Sequence, residues 1–133
     1  MGCGGSHIRT SASVSPDHLH PPTTPAAKSA AAVARQFVAS VRQGSARKLC
    51  TLLREEARVE FGCGRKASIP GWLTQDLRNG RPARVIDSFP GRTYSSATEI
   101  GFSVEPHRGD IHNLGIEVDS SCHVVDVGEY GYQ

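Results

Sequence analysis

Residues 23–44 read TTPAAKSAAAVARQFVASVRQG. Thr24 is a good N-cap, and Pro25 suits the first helical position, where a missing N–H costs nothing. Ala30, Val33, Ala34, Phe37, Val38 and Val41 recur at spacings of three and four, which makes one continuous apolar face. Gly44 supplies a C-cap. The pattern predicts an amphipathic helix over 25–43. Ser45 then caps a second stretch, SARKLCTLLREEARVEF (45–61), with Ala46, Leu49, Cys50, Leu53 and Ala57 on one face. A helix is expected over 45–59. The short link makes the two helices antiparallel neighbours. SIPGWLTQDLRNG (68–80) suggests a short third helix from Pro70 to about Arg78.

Beyond residue 80 the period changes to two. RPARVIDSF (81–89) is an expected strand. In YSSATEIGFSV (94–104), Ile100, Phe102 and Val104 alternate with Glu99, Gly101 and Ser103. In IHNLGIEVDS (111–120), Leu114, Ile116 and Val118 alternate with Asn113, Gly115 and Glu117. CHVVDVGEY (122–130) is an expected fourth strand. Between the second and third lies the turn-forming EPHRGD (105–110). Helices before a run of antiparallel strands imply an α+β domain, its helices on one face of a bent sheet. Its expected extent is 25–133.

Upstream, residues 1–24 hold Ile8, Val14 and Leu19 as their large aliphatics, among Ser, Thr, Pro, His and Gly. Such a segment buries too little surface to offset its ordering, and it is expected to be a flexible tether. At 133 residues, 38% apolar and 21% charged, the chain supports one domain with a modest core. A net charge of +2 with scattered Arg and Lys gives no nucleic-acid footprint. A run of about 18 apolar residues, as a membrane span needs, does not occur.

The stretch AAAVARQFVASVRQGSARKLCTLLREEARVEFGC (30–63) resembles the opening of the nuclear transport factor two-like superfamily, which includes ketosteroid isomerase and scytalone dehydratase. The match is closest to small secreted or lipid-anchored actinobacterial members. Those carry a Cys-x-Leu-Leu in the second helix and another Cys soon after, here Cys50, Leu52, Leu53 and Cys63. The resemblance covers roughly 25–132 by pattern and order. It implies a cone: a strongly bent sheet wrapped around the first helix, with a pocket at the wide end.

Enzymes of that superfamily place an acid, His or Tyr inside the cone. Here the first helix shows aliphatics, Ala and Phe37 on its apolar face. Inward strand candidates are Asp87, Tyr94, Glu99, His112, His123 and Asp126, and those carried forward for the pocket are Asp87, Glu99, His112 and Asp126. Alternation sends about half of such residues outward, and spacing identifies no acid–base pair. The chain has no Gly-rich phosphate loop, no nucleophile elbow and no zinc-type Cys/His spacing, so no cofactor is expected. His7, His18 and His20 lie in the tether without a fixed third ligand, and no metal is expected. Arg108-Gly109-Asp110 is ordinary turn chemistry before it is an adhesion motif. Trp72 is expected in the core or at the pocket rim.

Cys3, Cys50, Cys63 and Cys122 are the four cysteines. Cys50–Cys63 is the natural short disulfide, with Cys122 then reduced or buried. Cys50–Cys122 is the rival, and three reduced thiols the alternative to both. MGCGGS (1–6) resembles the mature end of a bacterial lipoprotein, with Cys3 as the lipid-attachment residue. N-myristoylation of Gly2 with palmitoylation of Cys3 is the cytosolic alternative. The expectation is a non-catalytic, extracytoplasmic, lipid-anchored binding module at the cell envelope. Its partner would be a protein or a small apolar ligand, with a possible homodimer through the sheet. An isomerase- or dehydratase-like enzyme using the same pocket is the alternative.

Overall fold

The computed structural model describes residues 19–105 and 113–129. Four helices precede four strands: α1 Pro25–Gln43, α2 Ala46–Leu52, α3 Glu55–Glu60, α4 Gly71–Asp76, β1 Ala83–Pro90, β2 Thr98–Val104, β3 Leu114–Val118 and β4 Val124–Glu129. The strands form one antiparallel sheet in the order β1-β2-β3-β4. The α+β class and the order of elements follow the sequence pattern.

α1 is bounded as its sequence demands. Thr24 accepts a hydrogen bond from the Ala27 N–H at 3.1 Å, and Gly44 closes the helix at φ 70°. Ala30, Ala34, Phe37 and Val41 are buried and meet Ile100, Phe102, Leu114 and Ile116 in one core. That core face comprises alternate residues of β2 and β3. α1 lies over β2 and β3, and β1 is the edge strand beyond them.

The second helix is not continuous over 45–59. Leu53 adopts an extended backbone, forms a parallel bridge with Val124, and is followed by Arg54, whose N–H donates to the Val124 carbonyl at 2.8 Å. Docking of these two residues on β4 splits the segment into α2 and α3. Apolar spacing runs through the break because Leu53 and Ala57 are buried on either side of it. The third helix is confined to Gly71–Asp76.

Cys50 of α2 is joined to Cys63, with Cα atoms 5.9 Å apart, as the short-pair expectation held. Cys122 is also disulfide-bonded, contrary to the expectation that it stays reduced. It occupies a turn at φ 66°, where Asp119 gathers the N–H groups of Ser121 and His123. Trp72 is not a core residue. It remains 39% exposed, because α4 buries Leu73 instead.

Candidate functional site

Two features of the sheet hold the chemistry. The first is a cleft of about 730 Å³ lined by Arg35, Val38, Ala39, Arg42, Gln43, Asn79, Ala83, Arg84, Val85 and Phe102. Its origin is geometric: α1 covers β2 and β3, and a gap remains beside β1. Val38 and Phe102 supply a buried apolar floor, and Ala83 and Val85 of β1 a half-buried wall. Arg35, Val38, Ala39 and Arg42 form an i, i+3, i+4, i+7 stripe of α1. Arg42 is fixed: its Nε donates to the Leu77 carbonyl at 2.8 Å, and a terminal nitrogen donates to the Arg81 carbonyl. Those bonds tie the segment after α4 to α1 and close one end of the cleft.

The second feature lies on the other face of the sheet. Register pairs Phe89, Glu99 and Glu117 across β1, β2 and β3, and continues from Glu117 to Asp126 on β4. Paired residues share a face, so three carboxylates stand side by side opposite the helix-covered side. Glu99 and Glu117 are 3% and 2% exposed. Both are managed by the loop joining β1 to β2. The Arg92 guanidinium lies 3.2 Å from Glu99. Glu117 accepts the Thr93 and Tyr94 N–H groups at 3.0 Å. Successive N–H groups on one carboxylate make an anion nest. Burial pushes the Glu99 carboxyl up to about 7, against the opposing pull of Arg92, with Glu117 and Asp126 adding to the rise. Burial and the neighbouring Glu117 also raise Asp126, although it stands at the surface.

Asp87 and Glu99 are on this second face, as its register with Gly101 shows for Asp87. Asp87 is buried and accepts the N–H groups of His20 at 2.7 Å and Ser88 at 2.9 Å, so it fastens the chain before α1 to β1. Asp126 joins Glu99 in the carboxylate row. His112, Cys3 and the Arg108–Asp110 tripeptide lie outside the described residues. Tyr94 is a loop residue beneath Arg54, whose guanidinium sits 4.5 Å from its ring centroid. His123 is an exposed turn residue with Nδ1 3.1 Å from the Ser121 hydroxyl. Thus Asp87, Glu99 and Asp126 do not line the cleft beneath α1, where a pocket acid would have to be.

Sequence reasoning passed over Glu117, Arg35, Arg42 and Arg84. Alternation assigned Glu117 to the outward face correctly, but it carried no sign that a loop would fold over that face. The arginine stripe was legible in part, since Arg35 and Arg42 are one heptad apart and bracket Val38 and Ala39. Comparison with protein-family models, curated proteins and solved structures finds no match to the chain.

Proposed function

We propose that the chain is a non-catalytic extracytoplasmic binding module of nuclear transport factor two-like cone type. Its α1–β1 cleft takes a small ligand with an apolar body. The observation carrying this is the lining of the cleft. Its volume falls in the range of about 300–1,000 Å³ typical of ligand sites. Among the described residues its titratable side chains are arginines, with no Asp, Glu, His or Tyr. Arginine does not give up its proton near neutral pH, so these described side chains offer no general base. Extracytoplasmic placement is supported by the Cys50–Cys63 disulfide and by the bonded Cys122. Lipid attachment at Cys3 belongs to the same proposal and rests on the MGCGGS sequence alone.

The test is titration with a neutral fluorescent apolar probe, N-phenyl-1-naphthylamine. The expected result is saturable binding at one site, abolished by Ala39→Trp. Ala39 is an exposed cleft residue of α1, and an indole there fills the gap without disturbing the core. Non-saturable binding, or binding indifferent to Ala39→Trp, overturns the assignment of the cleft.

One observation favours a second reading, an isomerase- or dehydratase-like enzyme: the Glu99 carboxyl, held near 7 beside Glu117, suits proton transfer at neutral pH. It would place the chemistry on the sheet face opposite α1 rather than in the cleft.

A further inference from the structure

We infer that the cleft ligand is an amphiphile with a single anionic head, its apolar body against Val38 and Phe102 and its head held by Arg35 and Arg84. This inference rests on the cleft being the binding site. Three arginines contribute to one lining, and they differ in what else they do. Arg42 is committed to the Leu77 and Arg81 carbonyls and serves the fold. The side chains of Arg35 and Arg84 form no hydrogen bond or ion pair with another described residue, and both residues are exposed. Ala83 and Val85 pair with Val104 and Phe102 and so face α1. Arg84, between them, pairs with Ser103 and so starts on the face away from α1; it joins the cleft lining around the free edge of β1. Arg35 borders it from α1. Among the described residues no acid lines the cleft, and Glu99, on the face away from α1, is met by Arg92.

Among the described lining residues, charge is therefore positive beside an apolar floor. Gln43 and Asn79 add polar groups at the rim. A guanidinium presents paired N–H donors that match carboxylate and phosphate oxygens equally well. The head is accordingly a carboxylate or a phosphate monoester, and the two are separated by experiment.

The probes are octanoate, octyl phosphate and octanol, each competing against the neutral fluorescent probe. At low salt at least one anion is expected to bind about tenfold more tightly than octanol, the scale of a solvent-exposed charge-assisted contact. The tighter of octanoate and octyl phosphate identifies the head group. In Arg35→Gln/Arg84→Gln the preference should fall to about twofold or less, with octanol affinity unchanged, which also reports that the cleft is intact. Raising salt to roughly 0.5 M should shrink the wild-type preference in the same direction. Equal binding of octanol and both anions overturns the anionic head while leaving the cleft assignment standing. An anion preference that survives the double substitution overturns the role of these two arginines. Failure of every probe, octanol included, overturns the cleft assignment itself.

Discussion

Glu99 and Glu117 are adjacent in register and nearly equally buried, yet their surroundings differ. Glu117 sits in a nest of two N–H groups, whereas Glu99 sits by Arg92 with burial acting chiefly against its charge. A carboxyl whose folded pKa is about 7 and whose unfolded value is ordinary binds more protons when folded between those values. Its contribution to stability is present below the ordinary carboxyl range and declines as pH rises towards 7 and beyond. Glu99→Gln removes that ionisation. Between pH 5 and pH 8, wild type is expected to lose on the order of 2 kcal/mol more unfolding free energy than Glu99→Gln. Urea titrations at the two pH values check this. Asp126 is raised as well, and Glu129 is held up to about 6 by its hydrogen bond with Asp76, so some slope of the same sign persists in the variant. Parallel slopes in the two proteins would show that Glu99 does not titrate in that range. Asp87, Glu99 and Asp126 were legible in the sequence as pocket candidates, and Glu117 was not. The face of Asp87 was not legible, because one bulge between Val85 and Asp87 shifts the alternation of β1.

At the scale of elements, α1 was legible to the residue, because cap, proline, periodicity and terminal glycine all act within the segment itself. The break between α2 and α3 was not. Its cause is a bridge to Val124, far along the chain, and local spacing carries no trace of such a partner. The loop from β1 to β2 is a second case. Gly91 donates its N–H to the Ala97 carbonyl at 2.9 Å and packs where a side chain cannot fit: a Cβ would overlap Glu117 Oε2, the Tyr94 carbonyl and the Ala97 side chain. The sequence shows a glycine after a proline, and the crowding that requires it arises only when the loop closes on itself and Glu117 of β3 is in place. Gly91→Ala is expected to cost about 2 kcal/mol by overpacking, seen as a lower midpoint in denaturant titration with the slope unchanged. It should also lift hydrogen-exchange protection at Thr93 and Tyr94, whose N–H groups depend on Glu117. A variant as stable as wild type would mean that the loop moves aside freely.

At the scale of the molecule, a small core is supplemented by covalent links. Cys50–Cys63 closes a loop with a sequence separation of 13, which in the chain-entropy account stabilises by about 3 kcal/mol, less any strain. Cys50→Ala/Cys63→Ala is expected to lose about that amount in urea titration, and an unchanged midpoint would leave the bond without a stabilising role. The sequence pointed to this pair by proximity, but its expectation of a reduced or buried Cys122 failed, because the turn that holds Cys122 at positive φ is set by the tertiary fold. Cys122 bears on the lipid anchor. The chain holds four cysteines, and Cys50 and Cys63 take each other, so the one other cysteine of the same chain is Cys3. A sulfur carrying lipid cannot also form a disulfide. Lipid attachment at Cys3 therefore requires Cys122 to bond across two molecules. Protein isolated from its native membrane should then run as a dimer on a non-reducing gel and as a monomer after reduction, with Cys122→Ser monomeric in both. A monomer on the non-reducing gel, with a mapped peptide joining Cys3 to Cys122, overturns the lipid anchor and leaves a domain whose N-terminal segment is tied to the turn before β4.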